Sequence, residues 1–87
     1  MDITNNESSG RFEVAVDGGI GFLRYRIETD TILLLHVEVP PEARGHGVAA
    51  ELSRAALEFA KERGLKAIPV CSYVAAYVQR HPEYAAT

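Results

Sequence analysis

A single cysteine, Cys71, rules out an intramolecular disulfide and points to a reducing compartment. Basic residues are also scarce: nine Lys and Arg against twelve Asp and Glu leave a net charge of −3. That balance excludes a protein whose main task is coating nucleic acid, although a local basic pocket remains compatible with it. Long apolar runs are missing, so no segment is expected to span a bilayer. The opening MDITNNESSG has no hydrophobic core segment of a secretory leader, and a cytoplasmic address is expected. Eighty-seven residues allow one small core and no second one.

What is present is ordered patterning. Residues 1–10 read as a polar, disordered arm, and residues 85–87 as a tail. Between them, 11–84 read as one domain. RFEVAV alternates Phe12, Val14 and Val16 with Arg11 and Glu13, the pattern of a half-buried strand. Asp17-Gly-Gly marks a hairpin turn before a second strand, and Glu28-Thr-Asp marks another before TILLLHVEV. That third strand is apolar nearly throughout to Leu35, which predicts cover on both faces. Its alternation predicts Ile32, Leu34, His36 and Glu38 on a common face. After Val39 the period lengthens. Val48, Leu52, Ala55, Ala56 and Phe59 form the stripe of an amphipathic helix over 46–63, and Gly64 stands at its C-cap. A short strand in LKAIPVC and a helix over 72–80 follow, before Pro82. The predicted order is β-β-β-α-β-α. The fold class is α/β (α+β): a mixed sheet, an antiparallel meander plus one parallel strand, with the helices packed on it.

The junction VPPEARGHGVAAEL holds the chemistry. A helix start exposes unpaired amides and the positive end of its dipole. Gly45 and Gly47 let an anion approach that backbone without meeting a β-carbon, and Arg44 adds a charge. Such a seat suits a diphosphate. The loop lacks the Gly-Lys-Ser/Thr ending of a P-loop and the third glycine of a dinucleotide fingerprint. A tight strand-to-helix turn alone would also use two glycines.

Arg44-Gly-His-Gly47-Val-Ala49 resembles the Arg/Gln-x-x-Gly-x-Gly/Ala motif of the GNAT acetyltransferase superfamily. With PVCSYVAAYVQRHPEY downstream, the chain is similar to the small, stand-alone, YjdJ-type members, and the likeness covers residues 11–84. The resemblance implies a minimal GNAT-like fold and an N-acetyltransferase acting on a protein lysine, polyamine or other amine. It implies acetyl-CoA as cosubstrate, its pyrophosphate on the amides from Gly45 through His46, Gly47 and Val48 to Ala49. The pantetheine arm would run beside Val37 and Val39, in a slot where two strands part. Pro69, with no N–H, suits either such a parting or a sheet edge.

An amine acceptor must lose a proton before attack. His36 and a partly buried Glu38 are the candidate bases; each has an ordinary packing or surface role as its alternative. Cys71, just ahead of a helix, is a candidate nucleophile or a lining of the acetyl pocket. The superfamily's thiolate-protonating tyrosine aligns with Gln79, while Tyr73 and Tyr77 fall out of register. Arg80 and His81 read as solvated. The helical pair that walls the acceptor site in larger members is replaced by Asp17-Gly-Gly. These departures keep a non-catalytic CoA-binding or protein-interaction module as the alternative. His36, His46 and His81 lack a ligand spacing, so no metal is expected. Expected partners are acetyl-CoA and an unknown amine, with no nucleic acid or membrane, for a monomer or homodimer.

Overall fold

The computed structural model describes residues 1–85; the last two residues of the tail lie outside the described residues. Five strands form one sheet in chain order: β1 (Thr4–Asn6), β2 (Arg11–Val16), β3 (Gly19–Glu28), β4 (Thr31–Glu38) and β5 (Lys66–Pro69). The first four run antiparallel, and β5 joins β4 in parallel after α1 (Val48–Arg63). A second helix, α2 (Ser72–Arg80), follows β5. The mixed sheet with packed helices is as expected, with one strand more.

That extra strand corrects the reading of residues 1–10 as a disordered arm. Residues 4–6 pair with Arg11–Glu13, and a tight turn at 7–10 closes on Gly10, whose φ is 65°. Polar composition concealed the strand because its work is done by polar atoms. The Tyr25 hydroxyl donates to Asn5 Oδ1 at 2.6 Å, and Asn6 Nδ2 donates to Glu13 at 3.3 Å.

The core lies on one face of the sheet. Phe12, Val14, Leu23, Tyr25, Ile32 and Leu34 meet Val48, Leu52, Ala56, Leu57 and Ala60 of α1 and Val74 and Tyr77 of α2. Leu52 and Leu57 are fully buried, each contributing roughly 1.5–3 kcal/mol relative to exposure. Gly21 brings the first turn of α1 close: a Cβ there would stand 3.2 Å from Val48 Cγ1. Tyr84, in a short 3-10 helix after α2, donates to Glu58 of α1 and ties the C-terminal segment to the same layer.

Two expectations for β4 fail, for separate reasons. Both helices pack on one face, so β4 is covered on one side only; Leu33 and Leu35 are left half-buried. In addition, a β-bulge interrupts the β3–β4 register: Arg24 faces His36, Tyr25 faces Leu34, and Leu35 is the extra residue. One inserted residue exchanges the faces of everything beyond it. Val37 therefore joins the core side with Leu34, while His36 and Glu38 turn to the uncovered face. The four residues expected on one face are split between two.

Candidate functional site

The sheet opens where β4 outruns β5. Leu34 pairs with Pro69, and β4 then continues to Glu38 without a parallel neighbour. The amides of Val70 and Cys71 both donate to the Leu34 carbonyl, each at 3.0 Å, which turns the β5 chain away. Both readings of Pro69 hold: it occupies the last rung and belongs to an edge strand.

At the end of β4, Pro40 and Pro41 stop the strand, and Pro41–Ala43 makes a single 3-10 turn. Gly45 and Gly47 then take φ of 84° and 78°, left-handed values costly for any residue with a β-carbon. Gly47 caps α1 with no side-chain bond, and its carbonyl accepts from the Glu51 amide at 3.0 Å. The helix thus begins at Val48, two residues later than periodicity suggests. A Cβ built at Gly45 or Gly47 meets nothing within 4 Å, so these glycines serve the backbone turn and face open space. Among the described residues, no hydrogen bond outside the regular elements uses the amides of Gly45 to Ala50. Six successive donors at the positive end of a sixteen-residue helix are therefore free. Arg44 Nε donates to the Val39 carbonyl at 3.0 Å, fixing the guanidinium at the base of this loop.

Loop and free strand edge enclose one cavity of about 520 Å³. Val37 and Val39 line it from the core side of β4, His36 and Glu38 from the open side. Arg44, Gly45, Gly47, Val48 and Ala49 line the loop end. Nine of the expected site residues are thus brought together. Two are not: exposed His46 and half-buried Cys71 lie outside the lining. Cys71 instead precedes α2 as its N-cap, accepting from the Ala75 amide at 3.0 Å and packing against the core.

His36 Nε2 and Glu38 Oε1 are 3.3 Å apart. Glu38 was expected to be partly buried; its side chain is 60% exposed, because the bulge delivers it to the uncovered face. Tyr73 and Ala43 line the cavity although neither stood out as a site residue. Tyr73 occupies the first turn of α2, which faces back across the gap to β4. That return was implicit in the strand–helix order, but the register of the turn was not. Tyr77 is buried and stacked on His81, ring centroids 4.0 Å apart, and Gln79 is exposed outside the lining.

A diphosphate-sized seat of free amides therefore adjoins a slot between parting strands. A sequence model described as GCN5-related N-acetyl-transferase matches residues 11–87. The chain belongs to that family. The GCN5-related chain is also similar to two curated relatives named Protein NATD1. It is 44% identical to the Xenopus tropicalis protein over 52 residues, 60% of this chain and 48% of that one. It is 47% identical to the Homo sapiens protein over 49 residues, 56% of this chain and 43% of that one. It thus spans about half the length of these relatives. The solution structure of a GCN5-like protein from Staphylococcus aureus superposes with a TM-score of 0.75 at 28% identity, covering 97% of this chain and 83% of that chain. Among the described residues, no helix of this GCN5-related fold is long and apolar enough to cross a membrane.

Proposed function

We propose that this protein transfers an acetyl group from acetyl-CoA to an amine, in the cytoplasm. The observation that carries the reading is the run of unengaged amides from Gly45 to Ala50, opening into a cavity along the free edge of β4. Amides in succession, a helix dipole and Arg44 are suited to the two phosphates of CoA. The edge of β4 beyond Leu34 that β5 leaves free is suited to an amide-bearing pantetheine arm.

In this reading the acceptor ammonium loses its proton to the His36–Glu38 pair, whose ring nitrogen and carboxylate share one position at the cavity wall. The neutral amine then attacks the thioester carbonyl. A C–N bond forms as the C–S bond breaks, and the amine's second proton ends on the departing thiolate or solvent. Among the described residues lining the cavity, Tyr73 supplies the sole hydroxyl, and we assign it to that thiolate. Cys71, outside the lining, serves as the N-cap of α2, and transfer is direct.

Isothermal calorimetry with acetyl-CoA tests the seat, and mass spectrometry of an amine panel tests transfer. Heat without acetylated product would favour the second reading, a CoA-binding module, which the exposure of His36 and Glu38 supports. No heat would remove CoA altogether.

A further inference from the structure

An exposed bridge of chain, Arg44 to Gly47, joins two buried anchors, Ala43 and Val48. Little holds this bridge in place. A Cβ on Gly45 or Gly47 would meet nothing within 4 Å, so no neighbour braces either position from that side. Gly47 caps α1 without a side-chain bond. Glycine is also the residue with the most backbone freedom to lose. Left to itself, such a bridge would aim its amides in many directions. Among the described residues, one side-chain hydrogen bond reaches it: Arg44 Nε donates to the Val39 carbonyl at 3.0 Å. The Arg44 amide donates to the Pro41 carbonyl at 3.3 Å, and the two bonds close residues 39–44 into a ring. Val39 packs against the core, so this ring fastens the start of the bridge to the end of β4. The nitrogen used is the inner one of the guanidinium, whose place is set by the side-chain stem.

We propose that Arg44 is a positioning residue: its bond to Val39, more than its charge, holds the Gly45–Gly47 backbone in the shape that aims the loop amides at a diphosphate. The inference rests on the acetyl-CoA reading and deepens it by separating two things one arginine can supply. Charge is the smaller share. Arg44 is exposed, and salt screens an exposed guanidinium over about 8 Å. The bond, by contrast, acts before any ligand arrives. A loop already held in its bound shape loses less freedom on binding, and the difference appears as affinity.

Two substitutions separate bond from charge. Gln carries an N–H donor at the same place along the side chain as Arg Nε, without the charge. Lys keeps the charge and has a methylene at that place. R44K should weaken acetyl-CoA binding by about fivefold in calorimetry, the loss of one net hydrogen bond. R44Q should weaken it by about twofold, the share of an exposed charge. Equal losses, or the larger loss in R44Q, would overturn the proposal. A second readout needs no ligand. In the free protein, NMR order parameters for the Gly45 and Gly47 amides should be about 0.85 in the parent and R44Q, and should fall below about 0.6 in R44K. A loop equally ordered in all three would overturn it. The urea midpoint of R44K should match that of the parent, because Arg44 is exposed. A lowered midpoint with order lost throughout the chain would make the bond a general support of the fold, and would overturn its positioning role. Calorimetry of the parent is scored separately. No heat there removes the acetyl-CoA reading, while the order parameters still report whether Arg44 holds the loop.

Discussion

The Tyr84 hydroxyl donates a 2.5 Å hydrogen bond to Glu58 Oε2, joining residues 26 apart in sequence. The bond sits at the seam between α1 and the C-terminal segment, with Tyr84 packed against Tyr77 and Lys61 over its ring. A carboxylate facing a phenol resists the phenolate, and together with burial it raises the Tyr84 pKa to about 12 from an ordinary 10. The neutral phenol is thus favoured in the folded chain. Its stabilisation is whole below pH 10, and it is lost as pH rises from 10 through 12. Y84F should lower stability at pH 7 by about 1 kcal/mol and flatten the fall of Tm between pH 10 and 12. Thermal melts across that window check both; a parallel fall in parent and variant would contradict the assignment.

Gly47 holds α1 open at φ 78°. G47A should cost about 1–2 kcal/mol for left-handed backbone, read by urea unfolding. Its methyl also enters the space ahead of the free amides, so acetyl-CoA should bind at least about tenfold more weakly, a loss of about 1.4 kcal/mol. Calorimetry measures it, and unchanged affinity would place the diphosphate elsewhere.

Gly21 tests packing away from the loop. A Cβ there stands 3.2 Å from Val48 Cγ1 and 3.5 Å from Val14 Cγ1. G21A should cost about 1–3 kcal/mol by overpacking, and G21A with V48A should recover part of it. A double-mutant cycle in urea reads the coupling.

Glu38 and Cys71 separate direct from covalent transfer. E38Q should reduce kcat by about a hundredfold, the ordinary share of a positioned base, with acetyl-CoA affinity preserved. C71A should retain kcat within about twofold, with no acetylated enzyme trapped on rapid quench. An acetyl-Cys71 species by mass spectrometry would reverse that assignment.

Much of this architecture is legible in the sequence because it rests on repeated, local rules. Alternation in RFEVAV, the stripe from Val48 to Phe59 and the glycine loop ahead of the helix each follow from one residue's neighbours. The parts that escaped are long-range. β1 is stabilised by bonds from Asn5 and Asn6 to residues on β3 and β2, which composition cannot disclose. The bulge at Leu35 has no sequence marker, since leucine is equally at home in a regular strand, yet it decides which face receives His36 and Glu38. Cys71 was legible as the residue just ahead of a helix, and from that position it reads as a nucleophile or pocket lining. Its absence from the cavity follows from the turn taken after Pro69.

That turn hangs on the Leu34 carbonyl, which accepts two amides at once. Every atom involved is main chain. Substitutions at Val70 or Cys71 can therefore change the side chains of the turn without removing the bonds that part the strands. A lineage can exchange the side chains around the gap while inheriting the same parted strands.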